Sequence, residues 1–163
     1  MNILVKNKNT LIFDEFKFKC CVGRYGFTKN KIEGDKKTPR GIFKLGNIFF
    51  RKERVNIPIS KIKKIPIKKY MGWCDDSKSA KYNKLIKNLK KFKHEKMFRK
   101  DNKYDLLIII KYNTEKIIKK KGSAIFLHLT NDYKPTDGCI AIKKNDFLIL
   151  LKLINRKTKI EIT

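Results

Sequence analysis

Two side chains stand out for the chemistry they could do together. His128 closes an apolar run and Cys139 follows it within the stretch Gly122–Ile142, GSAIFLHLTNDYKPTDGCIAI. A thiol is a weak nucleophile until it loses its proton, and an imidazole brought beside it can take that proton. The connection between them is short and carries Pro135, then Thr136-Asp137-Gly138-Cys139. Glycine before the cysteine permits a sharp turn and a close backbone approach. The backbone N–H groups of Gly138 and Cys139 would lie where a developing oxyanion needs donors. The same residues also fit a small buried thiol and a hydrogen-bonded core histidine, and spacing alone does not separate the two readings.

Positioning such a pair requires strands on both sides of the loop. Ser123–Leu129 reads as a buried strand with His128 near its end, and Ile140-Ala141-Ile142 resumes the apolar pattern after Cys139. Tyr104–Tyr112, YDLLIIIKY, is the most apolar run and is expected at the centre of a sheet. Short β-type runs open the chain at Asn2–Lys6, Leu11–Phe13 and Phe16–Val22, with Asn7-Lys8-Asn9 as a hairpin connection. Gly41–Leu45 alternates as a strand and Asn47–Arg54 reads as another. Pro58 and Pro66 deny a long helix to Asn56–Lys69. Met71–Asp76 reads as a compact turn holding the single Trp73, a side chain suited to anchoring a core. Leu85, Ile86, Leu89 and Phe92 would share one face of a short, very basic helix, or else that segment is irregular. His94 has no second histidine nearby and reads as structural or superficial. A C-terminal helix capped at Asn145 would bury Phe147, Leu150, Leu151 and Ile154, and Thr158–Ile162 would close the fold as a strand. The expected class is mainly β (α+β) in one domain spanning residues 1–163, with two helices.

The net charge of +27 attracts polyanions in general. Lysine is spread over every segment, beside abundant Ile, Asn and Phe, so the charge reads as a solvated surface rather than one patch. Without a binding motif, the charge does not single out nucleic acid as a specific partner. The four cysteines (Cys20, Cys21, Cys74 and Cys139) form no CxxC pair, so free thiols are expected, and neither a metal nor a cofactor. The N-terminal residues show no apolar signal-peptide core, and no apolar run has the length of a membrane span.

Several segments in order resemble the L,D-transpeptidase catalytic domain family, also called YkuD-type. His128, then Thr136-Asp137-Gly138-Cys139-Ile140, resembles its strand histidine and Ser/Thr-x-Gly-Cys motif. Gly34-Asp35, followed by Thr38-Pro39-Arg40-Gly41-Ile42-Phe43, is similar to its Gly-Asp…Thr-Pro-x-Gly-x-Phe segment. Gly72–Asp76, Tyr82-Asn83 and His94-Glu95 are similar to a compact single-domain branch. The resemblance covers about Val22 to Ile154, and implies a β-sandwich of curled mixed sheets. It implies peptidoglycan stem peptides as partners, with Cys139 as nucleophile and His128 as general base. The acyl-enzyme would be a thioester formed at the bond between diaminopimelate and D-Ala, resolved by an amine or by water. A hydrolase of amide bonds, or a non-catalytic basic module binding wall polymer or nucleic acid, are the alternatives. Thr136, Asp137, Trp73 and Arg40 are then the candidate substrate-binding residues, and a monomer is expected. The family substrate implies the periplasm or cell envelope; the lack of a visible signal peptide keeps the cytoplasm open. The sequence departs from the family pattern at Asp137, Ala141 and Leu129, where members often carry His, Arg and Gly. An anionic Asp137 beside Cys139 would disfavour the thiolate.

Overall fold

The computed structural model describes residues 1–163. The chain opens as an antiparallel meander of β1 (Asn2–Lys6), β2 (Thr10–Phe13) and β3 (Phe16–Cys21). Asn7 and Lys8 both take positive φ in the first turn, the backbone twist that a tight hairpin needs. Two short strands, β4 (Phe27–Thr28) and β5 (Thr38–Pro39), pair in parallel and lead into the long β6 (Gly41–Phe50). β7 (Lys64–Pro66) runs along the far part of β6. Next comes an excursion of β8 (Gly72–Cys74), β9 (Leu85–Ile86) and β10 (His94–Lys96), which form a small sheet of their own. The chain returns through β11 (Leu106–Ile110), β12 (Phe126–Leu129) and β13 (Ile140–Ile142), then α1 (Lys144–Leu153) and β14 (Lys159–Ile162).

The large sheet runs β11-β12-β13-β3-β2-β1-β14-β6-β7, and β6 also pairs with β11. Hydrogen bonding therefore closes the sheet into a barrel-like ring rather than leaving two faced sheets as in a sandwich. The mainly-β class stands, with a single α-helix. The short basic helix expected near Leu85 does not form: the Leu85–Lys93 segment holds only the two-residue β9 followed by turns. Its apolar side chains serve a strand and a loop: Leu85 pairs with Trp73 across β8–β9, and Leu89 packs on Gly72. Trp73, expected in a turn, is the central residue of β8. The two strands read at Gly41–Leu45 and Asn47–Arg54 are one strand ending at Phe50, after which the chain turns. The C-terminal helix begins earlier than expected, with Lys143 rather than Asn145 at the N-cap and no side-chain cap bond.

Alternation along the strands splits the apolar residues into two cores. Leu106, Ile108, Ile110, Leu127, Leu129, Ile140 and Ile142 belong to the larger core inside the ring, which α1 completes with Phe147, Leu150 and Leu151. Leu107, Ile109 and Phe126 belong to a second core on the outer face, which the excursion covers with Met71, Trp73 and Met97. Cys139 lies in this second core. No helix is long and apolar enough to cross a membrane.

Candidate functional site

The outer face of β12 and of the residue entering β13 carries His128 and Cys139. The strands run in parallel with Leu127 opposite Ile140 and His128 opposite Ala141. Cys139 precedes Ile140, so it falls beside Phe126, two residues before His128 on the same face. That spacing is roughly 6–7 Å along a strand, within the span of one thiol, one imidazole and the group between them. Both side chains line a cleft of about 680 Å³ between the barrel and the excursion.

Each is held by backbone. The Cys139 Sγ accepts from the Phe126 N–H at 3.4 Å, and its S–H donates to the Ala124 carbonyl at 3.2 Å. The His128 Nδ1–H donates to the Leu129 carbonyl at 2.8 Å. A carbonyl can only accept, so Nδ1 carries the proton and Nε2 keeps a basic lone pair. Burial pushes the Cys139 thiol up to about 12, and Glu95 and Asp137 add to the rise. Burial pushes His128 down to about 4, opposed in part by its bond to Leu129. Both groups are therefore neutral at pH 7. The exposed Asp137 acts in the direction expected for it, but loss of water around the sulfur is the larger cause.

The cysteine loop is fastened from within and from outside. Thr136 Oγ1 donates to the Cys139 carbonyl at 2.6 Å and accepts from the Gly138 N–H at 3.2 Å. No acceptor within the chain takes the Cys139 N–H. Gly138 has φ of 137°, and a Cβ there would sit 3.0 Å from the Lys37 carbonyl. The fully buried Thr38 bridges two segments: its Oγ1 accepts from the Gly23 N–H at 2.8 Å and donates to the Gly138 carbonyl at 2.9 Å. Beneath the same loop lies Lys31, the one buried lysine, paired with Asp35. Asp35 also accepts from the Ile32 and Lys37 N–H groups, and the Lys31 ammonium lowers its pKa against the effect of burial.

On the cleft wall beside His128, Tyr104 sets its ring edge-on to the imidazole at 5.3 Å and donates from its hydroxyl to Glu95 at 3.0 Å. Arg99 pairs with Glu95 at 3.3 Å and with Asp101, and its guanidinium lies 5.0 Å from the Tyr104 ring centre. Opposite, Glu33 accepts from Ser123 Oγ at 2.7 Å and from the Tyr82 hydroxyl.

The structure thus brings Cys139, His128, Thr136 and Asp137 to one cleft. Trp73 does not line it. The indole is buried, edge-on to Phe126 at 5.4 Å, with its N–H donated to Asn83; an apolar ring whose one donor is satisfied in this way anchors a core. Arg40 is also outside the cleft, exposed and 5.6 Å from the Phe27 ring centre, because the β4–β5 pairing carries it away. Thr136 shapes the loop through its hydroxyl. Sequence reasoning misses Thr38 as a buttress, and Glu95, Arg99 and Tyr104 as the wall around His128. The one signal for the wall is Glu95, which adjoins His94 in sequence and is overshadowed by it.

A barrel-like mainly-β domain with a thiol and an imidazole on its outer face, under a separate small sheet, defines a cysteine–histidine cleft protein. The chain belongs to the L,D-transpeptidase catalytic domain family (YkuD), whose family model matches residues 2–162. That family is generally enzymatic and acts on peptidoglycan. No curated protein and no solved structure matches the chain.

Proposed function

We propose that this protein is a cysteine-dependent L,D-transpeptidase acting on stem peptides of peptidoglycan. The observation that carries the reading is the placement of Cys139 and His128 on one face of adjacent strands, lining one cleft. As the sulfur attacks the carbonyl carbon of the amide between diaminopimelate and D-Ala, His128 Nε2 takes the thiol proton. With both groups neutral at rest, proton transfer accompanies attack; no thiolate–imidazolium pair waits for substrate. The Cys139 N–H, which has no acceptor within the chain, is the donor available to the forming oxyanion. The C–N bond then breaks, imidazolium returns the proton to the D-Ala amine, and a thioester remains on Cys139. An amine of a second stem attacks the thioester, forms the cross-linking amide and regenerates the thiol; attack by water would release a carboxylate instead. Thr136 holds the loop for these steps. Asp137, at the cleft mouth, is available to contact substrate.

This reading places the protein at the cell wall, and fractionation of the native protein tests that placement. The mechanism is tested by incubating the protein with a carbapenem β-lactam and with purified tetrapeptide stems. A mass shift of one carbapenem on Cys139, and loss of stem turnover in Cys139→Ala, are expected. Full turnover in Cys139→Ala would overturn the thiol mechanism.

A further inference from the structure

We propose that Asn83, which touches neither the thiol nor the imidazole, is a positioning residue for the Cys139 nucleophile. The proposal rests on Cys139 being the nucleophile. Asn83 is buried in the excursion, after the turn that follows β8, and takes φ of 55°. All of its amide capacity is used. Its Oδ1 accepts from the Trp73 indole N–H at 2.8 Å and from the Ala124 N–H at 3.0 Å. Its Nδ2 donates to the Tyr112 carbonyl at 3.1 Å and the Asn113 carbonyl at 2.6 Å. One side chain therefore joins the excursion, the end of β11 and the segment entering β12.

The bond to Ala124 matters for chemistry. Ala124 is itself left-handed, with φ of 53°, a conformation that alanine does not adopt without support. The Asn83 Oδ1 supplies that support, and the carbonyl of the same residue accepts the Cys139 S–H. The plane of the Ala124 peptide units thus sets where the thiol rests before attack. If Ala124 relaxes to negative φ, its carbonyl swings away and the sulfur is left to the Phe126 N–H alone. Misplacing a reacting atom by about 1 Å can cost about 100-fold in rate.

Asn83→Gly tests this, because glycine accepts positive φ and deletes only the amide. Trp73→Phe is the companion: it removes the other donor to Oδ1 and leaves the Ala124 bond in place. The readouts are the saturation kinetics of Cys139 acylation by a carbapenem, circular dichroism, and the S–H infrared band isolated by subtracting Cys139→Ala. Asn83→Gly is expected to lower the limiting acylation rate roughly 10- to 100-fold, with little change in half-saturation, and to move the S–H band toward that of an unbonded thiol. Trp73→Phe is expected to stay within about threefold of wild type and to leave the band in place, since it does not touch the reacting geometry. Should Asn83→Gly unfold, Asn83→Asp is compared with wild type at about pH 5, where a buried carboxyl facing two carbonyls keeps its proton: its carbonyl oxygen still accepts from Ala124 and its O–H stands in for one of the Nδ2 bonds. It is then expected to acylate within about threefold of wild type with an unmoved band, and a loss of about 10-fold or more would overturn the proposal. A folded Asn83→Gly acylated at the wild-type rate with an unmoved band also overturns it, as does an equal loss in Trp73→Phe. Absence of acylation at Cys139 in the wild type would instead strike the parent reading.

Discussion

Replacing Thr38 by valine isolates one buried hydroxyl, because the two side chains have nearly the same shape. In the native protein that hydroxyl is the partner of both the Gly23 N–H and the Gly138 carbonyl, at 2.8 and 2.9 Å. Valine leaves both backbone groups buried without a partner, and water has no room to replace the hydroxyl: a Cβ on Gly23 would already meet the Lys36 carbonyl at 2.6 Å. Each stranded group costs about 1–3 kcal/mol, so the pair should cost roughly 2–6 kcal/mol. For a chain of this length that corresponds to a fall in Tm of roughly 4–24 °C. Thermal unfolding followed by circular dichroism measures it directly. Thr38→Ser, which keeps the hydroxyl and loses one methyl, should fall by no more than about 1 kcal/mol. The two variants should also part in reactivity, since only valine frees the Gly138 carbonyl and slackens the loop before Cys139. A Thr38→Val protein melting within about 2 °C of wild type would refute this account of how the loop is held.

Further outcomes follow from the same geometry. The acidic limb of kcat/KM should lie near pH 4, where burial places His128, rather than near 6.5; activity should be present above that limb and lost below it, and a limb near 6.5 would contradict the buried-base reading. The native state binds fewer protons at His128 than the unfolded chain between about pH 4 and 6.5, so stability should rise with pH across that window, by up to about 3 kcal/mol from this residue. His128→Gln should flatten that part of the stability profile measured by urea unfolding. Gly138→Ala should lose at least about 1 kcal/mol and most acylation by a carbapenem, because its φ of 137° and the Lys37 carbonyl at 3.0 Å both oppose a side chain.

What can be read in advance is whatever local pattern decides. Alternation marks β1, β2 and β3, and a run of aliphatics marks β11 as central, where it pairs with both β12 and β6. The Gly-Cys loop and His128 stand out because their residue types suit thiol chemistry, and the fold sets Cys139 and His128 in one cleft. The excursion is not legible in this way. Leu85, Ile86, Leu89 and Phe92 satisfy a helical spacing, yet cross-strand pairing of Leu85 with Trp73 outweighs that weak local preference. Trp73 is the core anchor that a lone indole suggests, and not the substrate contact that the resemblance adds; Arg40 likewise faces away from the cleft, because only long-range pairing says which way a side chain faces. Closure of the sheet between β6 and β11 likewise rests on contacts between residues far apart in sequence. Thr38 and Asn83 stand in segments that the sequence singles out, but their role as buttresses is not legible there, because a buttress is defined by what it touches, and single polar residues carry no period.

The position of β14 has a consequence for the order in which the molecule can be made. This strand lies between β1 and β6, parallel to one and antiparallel to the other. During synthesis β1 therefore waits for β14, a strand far later in the sequence, before it gains its second neighbour. Until then β1 and the start of β6 present open edges, and a ring built from such distant contacts assembles slowly. Cys139 emerges before β14 does, so the cleft that it lines exists for a time on an unfinished scaffold, and the closing strand is what turns a nascent sheet into a finished one.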